Sequence, residues 1–207
     1  MSGDGATGIG AIARAVDDLF WRYTQALDEG PLTEWPECFA VDATYQVMPR
    51  GNLDRGLPLA TMRCDSQAMM RDRVYALESA NFFAARRIRH VLGSVRIEPA
   101  APAHDPDADA DSEPDPEADP DAEADSEAAA RWTVRASFSV FETLSREPTH
   151  ILAVGEYRGV VVPSGEHTGG REPEGQHLPA EIGALVFDEL VVVNDTDLVP
   201  NSLVYPL

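Results

Sequence analysis

Residues 132–140 read WTVRASFSV: Trp132, Val134, Ala136, Phe138 and Val140 alternate with Thr133, Arg135, Ser137 and Ser139. That two-residue period is the mark of a strand with one buried face. Two further apolar runs follow it. Ile151 to Val162 comes after a turn around Pro148, and Ile182 to Val193 comes after a Gly- and Pro-rich loop over 163–179. Consecutive strands joined by turns predict an antiparallel meander. Upstream, Arg86 to Ile97 reads as another strand. It carries Ile88, His90 and Leu92 on one side and Val91, Val95 and Ile97 on the other, so both faces are expected to be covered, and Gly93 marks a bulge.

The N-terminal third has helical spacing instead. Ile12, Val16, Leu19, Phe20, Tyr23 and Leu27 recur every three or four residues, and Gly30 and Pro31 end the pattern. Thr33 is expected to cap a short second helix through Trp35 and Phe39, with Pro36 in its first turn, ahead of a strand from Ala43 to Met48. Asp65 or Ser66 is expected to cap a third helix that buries Met70, Val74 and Leu77, its stripe widened by Met69 and Tyr75. Helices first and strands last predict an α+β fold, a curved, mostly antiparallel sheet covered by N-terminal helices.

Between the strands that end near Ile97 and begin at Trp132 lies a segment of different composition. Residues 101–130 hold 12 acids, 10 Ala and 5 Pro with no basic residue. Such a run has too little apolar area to offset ordering entropy, and its like charges repel; it reads as a disordered insertion in a hairpin loop rather than an acidic tail or metal sponge. The whole chain has 207 residues and a formal charge of -20, but outside the insertion 24 acids face 16 bases over 177 residues. That remainder is mildly acidic and long enough for one domain with a real core, so 1–207 is expected to be a single domain.

All 16 basic residues are arginine. The absence of lysine excludes the lysine of a phosphate-binding loop and every Schiff-base mechanism. The acidic balance argues against nucleic acid as a partner. No apolar run reaches membrane-spanning length, the N-terminal stretch lacks the charged and apolar regions of a secretion signal, and Cys38 and Cys64 form no metal or redox motif, so a cytoplasmic protein with reduced thiols is expected.

Several stretches in order resemble one family. They are Tyr23 with Ala26, Leu27 and Asp28; Trp35 with Phe39, Asp42 and Tyr45; and the run from Gly56 through Asp65 and Ser66 to Asp72, Arg73, Ala76 and Leu77. Ala80 and Asn81, then Arg87, Ile88, Arg89 and His90, and the tail from Asp195 to Leu207 continue the match. The chain resembles the small, or beta, subunit of Rieske-type aromatic-ring-hydroxylating dioxygenases, whose cone fold is shared with scytalone dehydratase and nuclear transport factor 2. Residues 63–67 and 87–93 are similar to subunits of enzymes acting on aromatic carboxylic acids such as terephthalate, salicylate, anthranilate or benzoate. The acidic insertion and the long loop at 163–179 depart from the family pattern, both where hairpin loops are expected.

The resemblance implies a hetero-oligomer, three alpha plus three beta chains, with the alpha subunit and other beta subunits as partners, in which the alpha subunit holds the Rieske iron-sulfur cluster and the mononuclear iron. It also implies that substrate choice lies mainly there and that electrons come from NADH through a reductase. The residues of this chain fit a supporting role. A Rieske cluster needs two Cys and two His in paired motifs, and neither cysteine has such a neighbour. A mononuclear iron needs two His and a carboxylate converging, whereas His90, His104, His150, His167 and His177 offer no close pair on a regular element. His167 and His177 share their loop with Glu166, Glu172 and Glu174, which reads as a solvated loop before a weak divalent site.

The alternative is a stand-alone cone-fold dehydratase or isomerase. Asp28 would orient His90 as general base and Tyr45 would polarise a carbonyl, against the plainer reading of His90 as a hydrogen-bonded structural group. Arg86, Arg87 and Arg89 are expected to pair with acids of a neighbouring chain. Trp21, Trp35 and Trp132 are expected in core or interface, and the apolar tail Leu203 to Leu207 is expected to dock on its own sheet or on a partner.

Overall fold

The structure is a computed structural model that describes residues 4–79, 86–100, 130–165, 184–197 and 205–207, with side chains from residue 10 onward. Helix α1 runs over Asp4–Asp28 and buries Ala11, Ile12, Ala15, Val16, Leu19, Phe20, Tyr23 and Ala26 along one stripe. It ends where Gly30 adopts a φ of 73°, a left-handed conformation that glycine takes without a Cβ clash. The N–H groups of Glu29 and Gly30 both return to the carbonyl of Gln25.

The expected second helix is instead two 3₁₀ turns, Leu32–Glu34 and Pro36–Cys38, and Thr33 caps neither. Pro36 has no N–H with which to continue an α-helical ladder, so Trp35 N–H bonds back to Leu32 and Cys38 N–H to Trp35, each three residues away. Strand β1 (Phe39–Pro49), the short helix α2 (Arg50–Asp54) and strand β2 (Met62–Cys64) follow. Helix α3 spans Gln67–Ser79, with the Ser66 hydroxyl accepting from Met69 N–H at 3.3 Å. It buries Gln67, Met70, Val74 and Leu77, whereas Met69 and Tyr75 are exposed. Neighbouring positions on a helix are rotated by a quarter turn or more, so the buried stripe does not extend to them.

Strands β3 (Arg86–Pro99), β4 (Trp132–Leu144), β5 (His150–Pro163) and β6 (Leu185–Asn194) form the predicted antiparallel meander. The sheet order is β2-β1-β6-β5-β4-β3; β1 joins β6 in parallel and β2 antiparallel. Register breaks interrupt β1–β6, β3–β4, β4–β5 and β5–β6, and each adds local twist to a curved sheet.

The bulge at Gly93 corrects the two-sided reading of β3. Leu92 pairs with Phe138 and Val95 with Ala136, so one extra residue shifts the alternation by one. Val95 and Ile97 therefore join Ile88, His90 and Leu92 on the inner face, while Val91 stays exposed on the outer one.

The core lies between that inner face and α1. Phe20 packs against Tyr157 and Phe187 at 5.7 and 5.4 Å, Tyr23 against Phe39, Tyr157 and Phe187, and Trp35 against Tyr45 at 5.0 Å, mostly edge to face. β3 and β4 remain paired as far as Pro99 and Trp132, and Ala100 N–H bonds to the Arg131 carbonyl, so 101–130 bridges the end of a hairpin. Apart from exposed Ala130, the acidic run lies outside the described residues, as does most of the 163–179 loop.

Candidate functional site

Two of the three residues proposed for proton transfer meet. Asp28, the last residue of α1, and His90, on the inner face of β3, lie with Asp28 Oδ1 2.6 Å from His90 Nδ1, and both side chains are buried. The same carboxylate accepts the His90 backbone N–H through both oxygens, at 3.1 and 2.9 Å. Because β3 is the last strand of the sheet, that N–H would otherwise sit on an open edge; Asp28 closes the edge and ties the end of α1 to it. A carboxylate facing Nδ1 selects the tautomer with hydrogen there, which leaves a lone pair on Nε2. Nε2 is buried without a hydrogen-bond partner.

Tyr45 serves elsewhere. Its hydroxyl accepts Leu207 N–H at 2.9 Å and donates to the Leu207 main-chain oxygen at 3.3 Å, an oxygen that also takes the Tyr23 hydroxyl. Burial pushes the phenols of Tyr23, Tyr45 and Tyr157 up from their ordinary values. The Tyr23 and Tyr45 hydroxyls anchor the end of the described chain inside the core, as expected for the apolar tail; Leu203 and Val204 lie outside the described residues. The structure thus supplies an oriented imidazole, while the group meant to polarise a carbonyl is occupied.

Of the remaining histidines, His150 Nε2 lies 3.2 Å from buried Glu142, which also receives Arg86 at 3.0 Å; the ring of Tyr205 stacks on that guanidinium at 4.4 Å. His104, His167 and His177, with Glu166, Glu172 and Glu174, lie outside the described residues. Among the described residues no three His, Cys, Asp or Glu side chains converge as metal ligands. Cys38 and Cys64 are both buried, and burial pushes the Cys38 thiol up to about 12, so it is no ready thiolate for iron. Among the described residues, Cys38 and Cys64 have no histidine converging with them as a Rieske cluster requires.

The arginines expected to reach a neighbouring chain are partly used at home: Arg86 pairs with Glu142 and Arg89 with Glu29 at 3.1 Å, while Arg87 is exposed. Trp35 is fully buried and Trp132 half-buried, whereas Trp21 stands 60% exposed on α1.

A site that the linear pattern did not reveal lies on the outer face of the sheet. Glu156 on β5 receives Arg50 at 2.7 Å, Arg135 at 2.9 Å and Arg158. Partial burial pushes its carboxyl up, but the three guanidiniums outweigh burial and hold it at about 2. The one signal in the sequence is the pair of charges, Glu156 and Arg158, at alternate positions of an otherwise apolar run.

No family model matches the chain. Over 76 residues it is 41% identical to the small subunit of anthranilate 1,2-dioxygenase from Burkholderia cepacia, a match covering 37% of this chain and 47% of that one. The corresponding match to a beta subunit of the terminal oxygenase component of terephthalate 1,2-dioxygenase from Comamonas is 37% identical and covers 49% of that protein. These matches span about half the length of the curated relatives. Over the whole chain, a crystal structure named as the beta subunit of an aromatic-ring-hydroxylating dioxygenase from Novosphingobium aromaticivorans superposes with a TM-score of 0.66 and 28% identity, covering 96% of this chain and 99% of that one.

The chain is thus similar to dioxygenase beta subunits, in sequence over 76 residues and in fold over nearly its whole length. A scytalone dehydratase-like structure from the same organism matches at 13% identity and a TM-score of 0.51, covering 89% of this chain and 84% of that one, which shows the shared cone fold alone. The expected fold, a curved and mostly antiparallel sheet covered by helices, is the fold found.

Proposed function

We propose that this chain is the beta subunit of an aromatic-ring-hydroxylating dioxygenase and supports an alpha subunit that carries the Rieske cluster and the mononuclear iron. The observation that carries the reading is the end-to-end likeness to a beta-subunit structure, joined to curated relatives that are themselves small subunits. Those relatives are named for anthranilate and terephthalate, which favours an aromatic carboxylate as the substrate of the assembled enzyme. The complex would add dioxygen to the ring with electrons from NADH, and three alpha plus three beta chains in the cytoplasm is the assembly we propose. Within it this chain does no redox chemistry; its residues build a rigid scaffold. The test is co-expression with the alpha subunit: ring hydroxylation that needs this chain, and fails to appear when it is omitted, supports the reading.

A second reading, a stand-alone dehydratase or isomerase, draws on the Asp28–His90 pair and the free Nε2. The pair is equally what an edge-closing contact requires, and Tyr45 is committed to Leu207. His90→Gln separates the readings: it abolishes a proton-transfer activity but leaves the hydroxylation rate of the assembled complex within about twofold.

A further inference from the structure

Among the described residues the helices cover one face of the sheet, and the other face carries an arrangement with an electrostatic cost. Arg96 pairs across β3–β4 with Arg135, and Arg135 pairs across β4–β5 with Arg158. Three arginines therefore stand abreast on the outer face, where like charges directly opposite destabilise a sheet. Glu156 serves Arg135 and Arg158 but is shared with Arg50, and among the described residues Arg96 reaches only Glu98, at 4.0 Å. The side chains of Arg96 and Arg135 remain 78% and 56% exposed. Beside this ladder, at the Gly93 bulge, a groove of about 530 Å³ is lined by Ser94, Arg96, Arg135, Ser137 and Glu156. On the far side of the groove a row in register, Val91–Ser139–Val154, sets two exposed valines on either side of a serine, and exposed Ile151 flanks it.

We propose that this face docks the alpha subunit, which would place carboxylates against Arg96 and Arg135 and apolar side chains against the Val91–Val154 row. The inference rests on the beta-subunit reading above. Charge selects the occupant. The cationic ladder stands on an otherwise acidic chain, so an acidic partner surface is attracted to this face in particular. A second copy whose two-fold axis passes through the ladder would set the same arginines against each other. Val91, Val154 and Ile151 provide the apolar part of such a contact, and the arginines provide its rim.

The experiment co-expresses this chain with tagged alpha subunit and measures the affinity of the purified partners by titration. Its variants are Arg96→Glu with Arg135→Glu, Val91→Asp with Val154→Asp, and, on the helical side, Trp21→Ala with Tyr75→Ala. Circular dichroism and melting temperature of each free variant establish that it folds. Either sheet-face pair weakens binding by about tenfold or more, the wild-type affinity falls as salt rises, and the helical-side pair binds as wild type. Wild type that binds while both folded sheet-face variants bind equally well overturns the docking face alone, as does loss of binding in the helical-side pair only. Wild type that fails to bind any alpha subunit overturns the subunit reading and this inference with it. Saturable binding of benzoate to the free chain that Arg96→Glu with Arg135→Glu removes, with alpha binding unchanged, assigns the groove to a small carboxylate and likewise overturns the proposal.

Discussion

His90 shows how a residue type that suggests catalysis also holds elements of the fold together. Its ring and its backbone N–H both go to the Asp28 carboxylate, so one acid serves an imidazole and a sheet edge together. Asp28→Ala strands two buried donors and is expected to cost about 2–4 kcal/mol of unfolding free energy in urea titrations. Asp28→Asn, which keeps one acceptor, is expected to cost less than half of that. At Glu156 the expected effect is one of pH. Its carboxyl is held at about 2 against an ordinary 4.5, so the stabilisation is fully present above pH 4.5 and is lost as pH falls through 2. Discounted for the exposure of Arg135 and Arg158, the contribution is about 1–2 kcal/mol. Glu156→Gln should remove it, flattening the acid limb of stability measured between pH 5 and 2.

At the scale of the elements, the helices and strands were legible wherever periodicity was strong and uninterrupted. β4 emerges as the alternation at 132–140 requires, and α1 buries the stripe from Ile12 to Tyr23. The misreadings have local causes. Pro36 turned a helix into two 3₁₀ turns, and the Gly93 bulge moved Val95 and Ile97 to the face opposite the one that strict alternation assigns. The Asp28–His90 contact was legible as a pair of candidate residues, though its edge-closing role needed the sheet order. The Arg96–Arg135–Arg158 ladder was not legible, because it exists only once three strands are in register.

The bulge also yields a sharp test. A Cβ on Gly93 would lie 2.1 Å from the Ser137 hydroxyl oxygen, and the next nearest atoms are at 3.5 Å. Gly93→Ala should therefore force the exposed Ser137 side chain into another rotamer and destabilise by about 0.5–1 kcal/mol, and Ser137→Ala in the same chain should restore most of the loss. Thermal denaturation of the two single variants and the double variant gives the coupling; additive losses would show that the clash is not the cause.

For the molecule as a whole, the charge of -20 divides between a mildly acidic body and one segment at a hairpin end. Since Ala100 already bonds to Arg131, replacing 101–130 by Asn-Gly should close the β3–β4 hairpin. The melting temperature is expected to stay within about 3 °C, and a drop of about 10 °C would show that the segment packs on the body. The larger claim is that this scaffold acts only in company. Its most direct test is the native mass of what the chain forms when co-expressed with a ring-hydroxylating alpha subunit bearing Cys-x-His and Cys-x-x-His pairs. The account predicts a single equimolar complex of several copies of each chain; elution of this chain free of a folded, iron-loaded alpha subunit would contradict it.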